Sequence, residues 1–168
     1  MKNLYGPLIL ALVIYVSRFL PHLDNFSPLL ALCLVVGYFA RGQWYGFVTP
    51  LAAMFLADLQ LGFYPGWAFV YIPLVAIVAL GAWAQPRSLR ILGLGVSSAF
   101  VFFLISNFGV WYSAELYPHT AAGLIACYAA GISFFVRSLV STLVYSGVIF
   151  TMVFVVLNSS SRSVVNQR

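Results

Sequence analysis

The chain is 168 residues long, 63% hydrophobic and 7% charged, with a formal net charge of +5. Soluble domains carry about a quarter charged residues, so the composition excludes an ordinary soluble fold and points to an integral membrane protein. The eight basic residues stand singly at the ends of apolar runs, as anchors at a membrane rim do, which excludes a nucleic-acid patch.

Crossing about 30 Å of hydrocarbon takes about 20 helical residues. Helix 1 is expected from Leu4 to Leu20; Lys2 ahead of it imitates a secretory signal, but no small-x-small cleavage site follows, so the helix is read as retained. A loop from Pro21 to Pro28 leads into helix 2, with Ser27 as cap and Pro28 in the first turn. Helix 2 ends near Ala40. Helix 3 runs from about Trp44 to Leu61, where Thr49-Pro50 marks either a kink or the cap of a shorter helix. The turn Gly62 to Gly66 opens helix 4, which ends near Ala84. Helix 5 covers Ile91 to Ser106, and Asn107 to Thr120 reads as a loop with Gly109 and Pro118 as its bends. Two apolar blocks follow, Ala121 to Val136 and Ser138 to Leu157, divided by Arg137. They form either two spans or one interfacial, partly inserted helix before a last span. A polar tail occupies 158–168, leaving 1–157 as a single transmembrane bundle.

Charge decides the count. With six spans and both termini cytoplasmic, Lys2, Arg41, Arg87, Arg90, Arg162 and Arg168 lie inside, against Arg18 and Arg137 outside. A seventh span moves the tail arginines outward and weakens that asymmetry, so the positive-inside rule favours six. The same topology sends loops 1, 3 and 5 outward. Every acid and both histidines then fall on one side: His22, Asp24, Asp58, Glu115 and His119.

That clustering points to an outward pocket. The run 107–120 concentrates Asn107, Trp111, Glu115, Tyr117 and His119, a polar and aromatic set suited to small-molecule binding. Asp58 ends an apolar helix, where an ionised group needs a partner or a wet cavity. Arg137 offers the opposite charge, as a latch on Asp58 or Glu115 or as a ligand contact. Arg18 reads as a snorkelling anchor. Trp111 and Tyr117 are expected to cover the pocket, with the other aromatics of this side as the interfacial belt. No nucleophile elbow, phosphate loop or zincin helix occurs, so neither an enzyme nor a metal or cofactor is expected. Cys33 and Cys127 read as buried thiols. Small residues recur every fourth position at Ala53 and Ala57, at Gly93 and Ser97, and at Gly123, Cys127 and Gly131, as close helix packing requires. Ser138, Ser141, Thr142, Tyr145 and Ser146 make a weakly polar stripe on the last helix.

The motifs Pro21-His22 with Asn25-Phe26-Ser27-Pro28, Ala57-Asp58-Leu59 with Gly62, and Asn107-Phe-Gly-Val-Trp with Tyr117-Pro118, Gly123-Leu124, Cys127-Tyr128 and Phe134-Phe135 resemble a family of small bacterial membrane proteins of unassigned function. That family is in turn similar to the S-components of energy-coupling-factor vitamin transporters, which are six-helix bundles with an outward pocket under loops 1, 3 and 5. Solitary cobalamin-uptake proteins of the BtuM type are nearest in style. By position His22, Asp58 and Arg137 correspond to their loop-1 His, helix-3 Asp and helix-6 Arg. Their cobalt-ligating Cys has no counterpart, since none follows Asp58 before Cys127. The Ala-x-x-x-Ala docking pair is missing from helix 1, which fits a solitary protein or another partner.

The resemblance implies an inner-membrane protein that binds and takes up a vitamin-like small molecule. The competing expectation is a non-catalytic accessory or assembly subunit of a larger membrane complex, with its apolar faces on another membrane protein. A polar, concave outer cavity would favour the first, and a filled interior with a flat apolar flank the second.

Overall fold

The computed structural model describes residues 5–21, 25–41, 43–84 and 90–165. Six helices follow in order: α1 (Tyr5–Ser17), α2 (Leu29–Ala40), α3 (Trp44–Leu61), α4 (Ala68–Gly81), α5 (Arg90–Ser113) and α6 (Ala121–Val165). No strand occurs among the described residues. By length and composition, two stretches are long and apolar enough to cross a membrane, Arg90–Ser113 and Ala121–Val155.

The helices run alternately up and down around α2, which touches every other one. All of α2 except Phe39 is buried, so this helix is apolar on every face. It meets α4 where Gly37 and Gly81 face each other. A Cβ on Gly37 would strike the Val78 carbonyl, and one on Gly81 the Leu34 carbonyl, so only glycine admits this approach. The other five helices turn apolar side chains outward, among them Leu12, Phe55, Ile72, Phe100, Ile132 and Val148. Contiguous apolar exterior of this extent suits contact with lipid rather than water.

Four expectations need correction. Residues 107–113 belong to α5, because Gly109 does not bend the chain; it lets Phe69 of α4 press against the helix. Arg137 does not divide the last apolar stretch. It lies exposed on α6 with its guanidinium 5.8 Å from the Phe134 ring, so its charge is accommodated without a break, and no separate interfacial helix precedes a last span. α6 continues to Val165, into the expected polar tail, since extending an established helix is easier than starting one. Finally, Gly93 and Ser97 are exposed and do not pack against another helix. Ala53 and Ala57 are buried in α3 and Gly131 meets Asn107 of α5, whereas Gly123 meets the Pro118 carbonyl in the loop before its own helix. Thr49-Pro50 neither caps nor shortens α3; the Thr49 hydroxyl donates to the Tyr45 carbonyl at 2.6 Å as the helix passes through.

Helix lengths make room for a cavity. α2 has 12 residues, about 18 Å, against about 36 Å for the 24 residues of α5. Asn25, just before α2, is held by Ser138, and Tyr38 near its other end packs on Phe150, so α2 lies beside the second half of α6. Residues 121–137 of α6 therefore extend past the start of α2, paired with the end of α5. Phe103 packs on Tyr128 and Phe135, and the Tyr128 hydroxyl donates to the Leu104 carbonyl at 2.6 Å. The space left over the N-terminal end of α2 is not filled by side chains.

Candidate functional site

Two adjoining compartments, each of about 370 Å³, occupy that space. They share Asn25, Tyr64, Val70 and Phe102 on their walls. The inner compartment rests on Leu29 and Leu30 and adds Arg18, Met54, Ser138 and Ser141. The outer one adds Asn107, Tyr117, Leu116 and Gly131. The walls thus come from the end of α1, the segments before α2 and α4, the ends of α3 and α5, and the first half of α6. This is where loops 1, 3 and 5 converge.

Asp58 lies beneath this space and is fully buried. Both its oxygens are engaged: Arg18 Nη2 donates to Oδ1 at 3.1 Å and the Tyr71 hydroxyl to Oδ2 at 2.7 Å. Its charged partner is therefore Arg18, not Arg137. α1 and α3 run parallel, which brings Arg18 at the end of one to Asp58 at the end of the other. Gln60 repeats the link by donating to the Tyr15 hydroxyl at 2.6 Å. The Arg18 side chain is 26% exposed and borders the cavity, so it is a bridge from the buried acid to the space above. Tyr64 stands beside this pair. Burial pushes its phenol up to about 12, with the Asp58 carboxylate adding to the rise and the Arg18 guanidinium opposing it, so the hydroxyl keeps its proton.

The remaining sequence candidates divide. Asn107 and Tyr117 line the outer compartment; Asn107 Nδ2 donates to the Phe103 carbonyl at 2.9 Å, and Gly131 makes room for the amide. Trp111 does not line the cavity. Its indole nitrogen donates to the Pro118 carbonyl at 3.1 Å and its ring packs on Phe108 and His119. It fastens the loop 114–120, which carries Leu116 and Tyr117 to the wall. Glu115 and His119 are exposed on that loop, and Glu115 adopts a left-handed φ of 50°. Arg137 is exposed beyond the wall. His22 and Asp24 lie outside the described residues. Among the described residues no three His, Cys, Asp or Glu side chains gather as metal ligands would.

Sequence reasoning missed Arg18, Asn25 and Tyr64 as wall residues. Arg18 carried a signal: in an up-and-down bundle the odd helices end on one side, which sets a cation ending helix 1 near an acid ending helix 3. The hydroxyl stripe of α6 does face inward, with Ser138, Ser141, Thr142 and Ser146 all buried. A family model described as a family of unknown function (DUF6580) matches residues 2–164. No curated protein and no solved structure matches the chain.

Proposed function

The chain belongs to the DUF6580 family, a family of unknown function, and we propose that this member is a six-span bundle of the bacterial inner membrane that binds a small molecule for uptake. The observation that carries the reading is the two-part cavity over the short central helix, apolar on its floor and polar at Arg18, Tyr64, Asn107, Ser138 and Ser141. Few polar groups set in a mostly apolar concavity is the usual composition of a small-molecule site. A filled interior would have favoured the accessory-subunit alternative.

Outward orientation follows from charge. Arg41 and Arg90 mark the bundle end opposite the cavity, and the positive-inside rule assigns that end to the cytoplasm. The cavity then opens to the exterior, where a nutrient-like molecule arrives. Several helices are shorter than a full span, but α2 is enclosed by its neighbours and needs no lipid contact of its own. Asp58 holds Arg18 in position rather than touching the bound molecule, while Asn107 and Tyr117 contact it directly.

Native mass spectrometry of the detergent-purified protein tests the reading, with Val70→Trp as the comparison because Val70 borders both compartments. A small molecule should co-purify with the wild type and be lost from the folded variant. An adduct retained equally by both would defeat the cavity as the site.

A further inference from the structure

The two long walls of the inner compartment offer opposite hydrogen-bonding character. On one side, Arg18 commits one N–H to Asp58, and its Nε is buried without a partner among the described residues. A guanidinium has five N–H donors and no acceptor, so its remaining edge presents donors only. Tyr64, on the same side, keeps its proton and so can donate as well. On the other side, Ser138 spends its hydroxyl hydrogen on the Asn25 carbonyl at 3.3 Å, and Ser141 spends its own on the Ser138 carbonyl at 3.0 Å. What these two serines turn toward the cavity is lone pairs. The walls stand apart: among the described residues α1 makes no direct helix contact with α6. Leu30, Met54, Val70 and Phe102 enclose the space between them.

We propose that the cavity takes an uncharged small molecule with a carbonyl-type acceptor at one end and an N–H donor at the other, spanning from Arg18 and Tyr64 to Ser138 and Ser141. Neutrality follows from the charge balance. The guanidinium is already matched by a fully buried carboxylate, so an anion would bring an uncompensated charge into a desolvated site. A neutral acceptor satisfies the idle donors without that penalty. The donor end is needed because an acceptor facing the serine lone pairs would leave all of them unpaired.

This inference rests on the cavity being a small-molecule site, and fluorine NMR in lipid nanodiscs separates the two claims. Three probes are compared, with empty nanodiscs subtracting partition into lipid: a fluorinated 4-quinolone, whose carbonyl and N–H lie at opposite ends of one ring; its N-methyl derivative; and the corresponding fluorinated quinoline carboxylate. The quinolone should bind about tenfold more tightly than either of the others. Ser141→Ala should weaken the quinolone by about fivefold and leave the N-methyl derivative unchanged. That variant removes only an intrahelical hydroxyl bond, so the fold persists. Equal or tighter binding of the carboxylate, or indifference to N-methylation, overturns the inference. So does failure of all three probes while a resident molecule still co-purifies and is lost in Val70→Trp. Quinolone binding that persists unchanged in Val70→Trp sinks the cavity reading itself.

Discussion

Asp58 accepts from two side chains in a space closed to solvent, which makes it a support rather than a contact surface. Asp58→Ala orphans the Arg18 Nη2 and the Tyr71 hydroxyl together. Removing one partner of a buried ion pair costs about 3–5 kcal/mol, and the lower end applies because Arg18 is partly exposed and can turn into the cavity. Tyr71→Phe removes one hydrogen bond to a charged acceptor, about 1.5–3 kcal/mol. Equilibrium unfolding in mixed micelles should therefore rank wild type above Tyr71→Phe above Asp58→Ala. An Asp58→Ala protein as stable as wild type would mean the acid is not held in this way. That Asp58 matters was legible, since an ionisable residue ending an apolar run must be satisfied somewhere. Its partner was not, because Arg18 and Asp58 are 40 positions apart and meet only through the parallel pairing of α1 and α3. Trp111 teaches a related lesson. Its aromatic character promised a stacking surface, yet the Pro118 carbonyl lies within reach of the indole N–H and turns the residue into a loop fastener.

At the level of the helices, glycine positions separate close packing from open surface. Gly81→Ala should cost about 3 kcal/mol, the upper end of the overpacking range, because its Cβ meets the Leu34 backbone, which cannot yield as a side chain would. Gly93→Ala meets nothing and should raise stability by about 0.5–1 kcal/mol through helix propensity. Thermal melts of the two purified variants make the comparison, and equal shifts in one direction would refute the α2–α4 crossing as drawn. Most boundaries could be read from apolar runs ended by Gly, Pro or Arg. The end of α5 could not: Asn107, Gly109 and a cluster of aromatics look like a loop locally, and only packing on Phe69 and α6 makes them helical. Arg137 misled in the same way, because a charge on an exposed helix flank is tolerated where one facing inward would force a turn.

For the molecule as a whole, the proposed six crossings would put the segment after α6 on the same side as the start of α1. A reporter active only in the periplasm, fused after Arg168, should stay silent, and one active only in the cytoplasm should report. Strong periplasmic activity would end the six-span proposal. The unbroken α6 carries a further consequence. Its apolar stretch of 35 residues measures about 52 Å, and a tilt of about 40°, the steepest usual, still projects it over about 40 Å. A hydrocarbon layer of about 30 Å cannot cover that. In the proposed arrangement that excess stands in the headgroup layer at one or both ends of α6, whose first half is one of the walls of the outer compartment. Bilayer thickness is then expected to bear on the site, through how much of the α5–α6 hairpin and its loop stands clear of the hydrocarbon. Affinity for a bound molecule should then differ between nanodiscs of short-chain and long-chain lipids, and equal affinity in the two would leave the surrounding bilayer without a part in binding.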